Sequence, residues 1–277
     1  MNNWQCRWSP TLGELERPHQ EIWGTKEYKN DTDPTIFMGV YGLPDFWALW
    51  RHKGIKAVLW CGTDIIHLMN GYWLEDGGGI KVDPQPFADW INKYCDNYCE
   101  NMAEYRALEK IGIGATVIPS FLGNIDNYEV EYKHSDKPHV YASVSGDNFE
   151  QYGWDRIEKM APMFPEVTFH LYGNEAEWHT EYENVIVHGR VPKEQMNEEI
   201  KKMQGGLRML EFDGASEILM KSILWGQYPV SLIGYDHMLK PNELDKLKDM
   251  KEPNVVGREH YRKILNKYVW NKNNKNK

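Results

Sequence analysis

Residues 207–231, LRMLEFDGASEILMKSILWGQYPVS, put an acid, a glycine and a serine at one turn. Leu207, Met209, Leu210 and Phe212 form an apolar run that Asp213-Gly214 interrupts. Ile218, Leu219, Ser222, Ile223 and Trp225 then recur at helical spacing until Gly226. This strand-to-helix hinge has two chemical readings. Asp213 is a helix N-cap, or it is a carboxylate presented to a ligand, beside small residues whose backbone N–H groups at a helix start suit phosphate. Glu217, one helical turn on, is either a solvated first-turn acid or a second ligand contact.

In open parallel α/β sheets ligands bind beyond the carboxyl ends of the strands. The turns of interest are therefore Gly39/Gly42, Gly62-Thr63-Asp64, Ser143/Ser145/Gly146, Gly173-Asn174, His188-Gly189-Arg190 and Asp213–Ser216. Asp64 reads as an N-cap for IIHLMN or as a ligand-facing acid. His67 reads as a core histidine or as a hydrogen-bonding partner at the same place. No GxxxxGK[ST], GxGxxG after the first strand or GxSxG is present, which argues against P-loop kinases, nicotinamide dehydrogenases and α/β-hydrolases. Cys6, Cys61, Cys95 and Cys99 have no disulfide or zinc spacing and no histidine cluster beside them, so no metal is expected.

The elements that must carry these turns alternate. TIFMGVYG (35–42) reads as a strand, DFWALWRHKG (45–54) as a helix and IKAVLWCG (55–62) as a strand buried on both faces. From Pro86 to Ile111 the period favours helix, with a strand near DNYCENM as the alternative. ATVIPSFLG (115–123) is a strand. The polar run 124–137 is the candidate linker. Strands then follow at 139–146, 167–174 and 184–191, with helices at 154–164 and 192–203. The hinge described above and YPVSLIG close the series. Two doubly wound parallel sheets are expected, one on each side of the linker. Residues 1–34 show no regular period.

Composition sets outer bounds. The 277 residues are 41% hydrophobic and 26% charged, an ordinary globular mixture. The net charge of -9 argues against a broad nucleic-acid groove. The basic tail KYVWNKNNKNK (267–277) reads as a frayed, solvated end. MNNWQCRWSP has no apolar signal core and no stretch is long enough to span a bilayer, so a cytoplasmic chain without transmembrane segments is expected.

The residues carry a resemblance. DGASEILMKSILWGQYPV is similar in layout to the donor-domain motif of GT-B glycosyltransferases close to family 4, with Asp213 at the first Glu position and Lys221 at the second. Arg208, Asp213, Gly214 and Ser216 stand in the register of a subgroup reading Arg-x-x-x-x-Asp-Gly-x-Ser. QYGWDRIEKMAPMFPEVTFHLYGN and NVIVHGRV resemble the preceding donor-domain segments. GIKAVLWCGTDII and EYRALEKIGIGATVIPSFLG resemble acceptor-domain segments. The resemblance covers residues 36–236.

It implies an α/β GT-B fold of two Rossmann-like doubly wound domains with a cleft between them. Residues 1–130 would form the acceptor-side domain. Residues 131–277 would form the nucleotide-sugar-binding domain, with a terminal helix and the basic tail. The implied activity is sugar transfer from a nucleotide-sugar donor to a hydroxyl acceptor such as a glycan, with retention of configuration and independent of metal or other cofactor. Asp213, Arg208 and Asp64 are the implied catalytic residues. Ser145, Gly146, Gly173, His188, Arg190, Gly214, Ala215, Ser216, Glu217 and Lys221 would bind the donor, with Gly42, Thr63 and His67 on the acceptor side. The sequence departs from the family at Lys221, which replaces a ribose-binding Glu. That departure keeps open a degenerate, non-catalytic nucleotide-sugar-binding module. A phage-type enzyme acting on modified DNA is the other alternative, disfavoured by the acidic balance.

Overall fold

The computed structural model describes residues 3–71, 83–144, 149–173 and 179–270, with backbone alone over 14–19. Two compact units emerge. Unit 1 contains residues 1–123, 212–215 and 264–277, and unit 2 contains residues 124–211 and 216–263.

Unit 1 is a six-stranded sheet in the order β2-β1-β3-β4-β5-β6, every neighbouring pair parallel. The strands are β1 (Gln5–Trp8), β2 (Lys26–Glu27), β3 (Thr35–Met38), β4 (Lys56–Leu59), β5 (Asp96–Cys99) and β6 (Thr116–Val117). The helices are α1 (Glu16–Trp23), α2 (Leu43–Arg51), α3 (Thr63–Met69), α4 (Pro84–Tyr94) and α5 (Met102–Lys110). β3 and most of β4 are buried on both faces, as their continuous apolar runs require. The periodic stretch from Pro86 to Ile111 divides into α4, β5 and α5. Asn101 ends the strand reading, because its side chain accepts from the N–H groups of Ala103 and Glu104 and starts α5.

Unit 2 is a five-stranded parallel sheet in the order β11-β10-β7-β8-β9. Its strands are β7 (His139–Val144), β8 (Thr168–Gly173), β9 (Val185–Gly189), β10 (Gly205–Arg208) and β11 (Val230–Ser231). Its helices are α6 (Trp154–Met160), α7 (Lys193–Ile200), α8 (Glu217–Leu224) and α9 (Val255–Ile264), whose last residue already counts with unit 1. α8 is almost wholly buried and lies against β10, where Gly206 leaves room for Ile218 and Ser222.

Three expectations need correction. A single cut at 130/131 is replaced by a discontinuous division, because the chain's last segment returns to unit 1. Tyr268 and Trp270 stack at 4.5 Å, Trp23 meets both edge-on, and Asn266 bonds Phe121 and Trp23. Aromatic burial therefore overrides the polar composition of residues 267–270, while residues 271–277 lie outside the described residues. The polar run 124–137 is also not a bare linker. Tyr132 is buried in unit 2, and the N–H groups of Glu131 and Tyr132 donate to the Trp225 carbonyl. Finally, residues 1–34 are not irregular throughout, since they supply β1 and β2. Among the described residues no helix is long and apolar enough to cross a membrane.

Candidate functional site

In unit 1 the strand order reverses between β1 and β3, and Gly42 N-caps α2 just beyond β3. Buried Asp45, on α2, accepts from Arg7 Nη1 at 2.9 Å, Ser9 Oγ at 2.7 Å and the Tyr41 N–H at 3.1 Å. Asp64 does not act as an N-cap. Gly62 holds that position, and the Asp64 carboxylate turns inward to accept from Val40, Cys61 and Ile65 N–H groups at 3.1, 3.0 and 2.8 Å. It is 0% exposed, so it faces no acceptor. Burial pushes its carboxyl up to about 7, against the three N–H groups that favour the carboxylate. Thr63 is exposed, and His67 Nδ1 lies 2.9 Å from the Tyr41 carbonyl, so His67 is not a core histidine.

The hinge segment belongs to unit 1. The Phe212 ring packs against the unit 1 core. Asn101 Nδ2 donates to the Asp213 carbonyl, and the Ala215 N–H donates to Glu100 Oε2, both at 2.7 Å. Glu100 Oε1 accepts from the Ser120 hydroxyl and N–H. Glu104 Oε2 accepts from the Glu100 N–H at 2.5 Å, and Glu104 Oε1 has no partner among the described residues. Burial first, then mutual repulsion, raises the Glu104 carboxyl well above its ordinary range; burial also raises Glu100. Two readings change here. Asp213 is not the N-cap of α8, a position Ser216 takes without a side-chain capping bond. Ala215 cannot offer its N–H to phosphate, because Glu100 occupies it. Asp213 itself is half-buried.

In unit 2 the order reverses between β7 and β10. Ser145 and Gly146, expected after β7, lie outside the described residues. Arg208 ends β10 with its guanidinium 4.7 Å from the centroid of the Tyr152 ring. Glu217 begins α8, half-buried. Lys221 is 5% exposed, with Nζ 3.5 Å from Asn197 Oδ1 of α7, and burial lowers its pKa. It is enclosed beside α7 and offers no ammonium to a phosphate. Gly173 is structural: at φ +90° any Cβ would strike the Val144 carbonyl. Arg190 is exposed.

His188 is one of three aligned imidazoles. His139 Nδ1 lies 2.8 Å from His170 Nε2, and His170 Nδ1 lies 2.8 Å from His188 Nε2. His188 stacks on Tyr172, whose hydroxyl donates to Glu199 at 2.7 Å. Burial first, then the two neighbouring imidazoles, lowers the His170 pKa to about 4. Among the described residues no group of three or more His, Cys, Asp or Glu is arranged to hold a metal ion.

No protein-family model and no curated protein matches the sequence. Solved structures do. Sucrose-phosphate synthase from Thermosynechococcus elongatus superimposes with a TM-score of 0.54 at 11% identity, over 92% of this chain and 73% of that one. An α,α-trehalose-phosphate synthase (UDP-forming) from Burkholderia xenovorans gives 0.53 at 9% identity, over 88% and 71%. The chain has the GT-B fold. It spans about half the length of TarM, matching 87% of this chain to 53% of that one at 13% identity and a TM-score of 0.49.

Within this GT-B chain, Asp213, Gly214, Ser216, Glu217 and Arg208 cluster along the sequence at the carboxyl end of β10. Gly42, Thr63 and His67 lie at the carboxyl ends of β3 and β4. Sequence reasoning missed Glu100, Asn101, Glu104 and Ser120. Glu100, Asn101 and Glu104 sit after β5 in the stretch whose period favours helix, where only the Asn-x-x-Glu spacing of 101–104, a capping pattern, signals the turn; Ser120 sits after β6 in a stretch that reads as a strand.

Proposed function

We propose that the chain transfers a sugar from a nucleotide-sugar donor to a hydroxyl acceptor. The observation that carries this reading is the half-buried Asp213 carboxylate, in the turn that follows β10 along the chain, in a chain of GT-B fold. The trehalose-phosphate synthase of the same fold is UDP-forming, which makes UDP-sugars the first donors to try. In transfer, the bond from the anomeric carbon to the diphosphate oxygen breaks and a bond to the acceptor oxygen forms. The acceptor's proton is released.

Asp213 accepts hydrogen bonds from sugar hydroxyls. Within unit 2, Arg208 and Arg190 and the N-terminus of α8 at Ser216 and Glu217 are the groups offered to the charge that grows on the leaving diphosphate. No metal is required in this scheme, and configuration is retained. A glycan or other hydroxyl compound is the acceptor.

The test begins with a thermal-shift screen against UDP-, GDP-, ADP- and CMP-sugars, since a ligand bound only to the folded chain raises Tm. Asp213→Asn should then fold with a near-parental Tm, still bind free nucleoside diphosphate and lose transfer on the order of 100-fold, the rate equivalent of ~3 kcal/mol. Full transfer by Asp213→Asn would remove the sugar from this carboxylate. The enclosed Lys221 favours one rival, a non-catalytic nucleotide-sugar-binding module. A donor that raises Tm yet is neither hydrolysed nor transferred decides for it. Activity undiminished by EDTA supports the metal-independent scheme, and its loss with restoration by a divalent ion overturns it.

A further inference from the structure

We infer that Glu100 and Asn101, at the carboxyl end of β5, are positioning residues for this transfer: they fix the main chain of Asp213–Ala215 and so set where the Asp213 carboxylate stands. The inference rests on the reading above and adds residues to it.

Residues 212–215 form neither helix nor strand, so no ladder holds their peptide groups. Side chains hold them instead. The Asn101 bond to the Asp213 carbonyl orients the peptide plane attached to the Asp213 Cα. The Glu100 bond to the Ala215 N–H orients the next plane, leaving Gly214 pinned on both sides. Phe212 anchors the segment on its other flank. The space between is tight, since a Cβ on Gly214 would strike the Glu100 carboxylate and one on Gly62 would come 3.2 Å from the Gly214 nitrogen. With its backbone so held, the Asp213 side chain is left with only χ1 and χ2 to adjust.

Both holders are themselves fixed. The Asn101 oxygen accepts the Ala103 and Glu104 N–H groups at 2.9 and 3.1 Å, so its amide has one orientation in which every bond is made. Glu100 Oε1 is held by Ser120 while Oε2 reaches Ala215. Glu100 is 5% exposed and Asn101 2%. Enclosing a carboxyl beside buried Glu104 and Asp64 is costly, and such burial contributes little net stability. What it does supply is a fixed geometry for main-chain atoms 112 to 115 residues away in sequence.

Asn101→Asp isolates the effect. Asp caps a helix about as well as Asn, but its second oxygen would face the Asp213 carbonyl instead of donating to it. UDP-glucose is the donor probe and UDP the binding probe. The expected result is near-parental Tm, unchanged UDP affinity, nearly unchanged KM and kcat lowered on the order of 10- to 100-fold, as small misplacements of reacting groups cost. Glu100→Gln, which keeps the volume and one acceptor oxygen, should show the same split to a smaller degree.

Parental kcat in Asn101→Asp overturns the inference. So does a loss of kcat that comes only with a parallel loss of Tm and UDP affinity, which marks a structural role. If Asn101→Asp does not fold, Asn101→Ser carries the same outcomes, because Ser caps the helix but cannot span to the Asp213 carbonyl. A parent protein that neither hydrolyses nor transfers any of the four donor classes refutes the functional reading and this inference together. An active parent with undiminished variants refutes only this inference.

Discussion

Each unit is built on its own doubly wound parallel sheet, yet the two fix their main chain and strands with different polar groups. Unit 1 encloses carboxyls: Asp64, Glu100 and Glu104 hold the backbone of turns at the ends of β3, β4 and β5 and of the hinge segment. Unit 2 lines up imidazoles: buried His170 lies between half-buried His139 and His188 across β7, β8 and β9. A carboxylate accepts several N–H groups at once and suits irregular turns, whereas a neutral imidazole both donates and accepts and suits a chain of like partners. The same architecture therefore tolerates more than one kind of polar interior, and the kind of polar group follows from what it must hold.

The difference sets opposite pH responses. A carboxyl whose pKa is raised on folding lends stability that is complete below its unfolded pKa and lost as pH rises through its folded pKa. For Asp64 the window runs from its ordinary 3.8 to about 7. A histidine whose pKa is depressed lends stability that is complete above its unfolded pKa and lost as pH falls. For His170 that window runs from 6.5 down to about 4.

The comparison breaks most visibly at Asp64. Asp64→Ala leaves the Val40 and Cys61 N–H groups unpaired inside unit 1, at about 1–3 kcal/mol each, so a loss of ~2–5 kcal/mol is expected in urea unfolding. Ile65 retains its bond to the Gly62 carbonyl, which limits the damage. An unchanged urea midpoint would mean that Asp64 holds neither turn. A smaller effect belongs to the histidine line. His170→Phe should flatten the acid limb of unit 2, removing at most about 3.4 kcal/mol of pH dependence between pH 6.5 and 4 at 1.36 kcal/mol per unit. Histidine C2–H resonances followed by NMR would report it, and an acid limb that survives the substitution assigns it elsewhere. The smallest effect is at Ser216. Its hydroxyl caps no amide, so Ser216→Ala should shift stability by less than about 0.5 kcal/mol, below the usual cost of losing a cap. A larger shift in Tm would show that Ser216 does cap α8 in solution.

Legibility in the sequence followed how local the cause was. β3, β4, β7 and β8 were readable because strands buried on both faces are continuous apolar runs, and β9, an edge strand, because its NVIVHG run is short, β-branched and ends in glycine. β1, QCRW, was not: Gln5 is buried through side-chain bonds to Asn30 and Thr35, and half-buried Arg7 pairs with Asp45, so its polar letters hide a strand. The stretch from Pro86 to Ile111 misleads because Tyr94, Tyr98 and Met102 fall four apart across what is in fact a strand. At the hinge, the turn itself was legible and its helix start was read three residues early. The partners of that turn, Glu100 and Asn101, are brought to it by the fold alone. His139, His170 and His188 likewise meet only through the register of their strands. Tyr268 and Trp270 were concealed by the lysines and asparagines around them.

The return of residues 264–270 to unit 1 constrains biosynthesis. Trp23 packs against Trp270, 247 residues later (270 − 23). At roughly 5–20 residues per second on the ribosome, the ring waits about 12–50 seconds for its partner. All of unit 2 is translated in that interval, so the nested unit can complete its sheet while the enclosing one still lacks its final aromatic layer. The waiting surface is Trp23 stacked on Trp8 of β1, and emergence of residues 264–270 from the exit tunnel is the event that closes it.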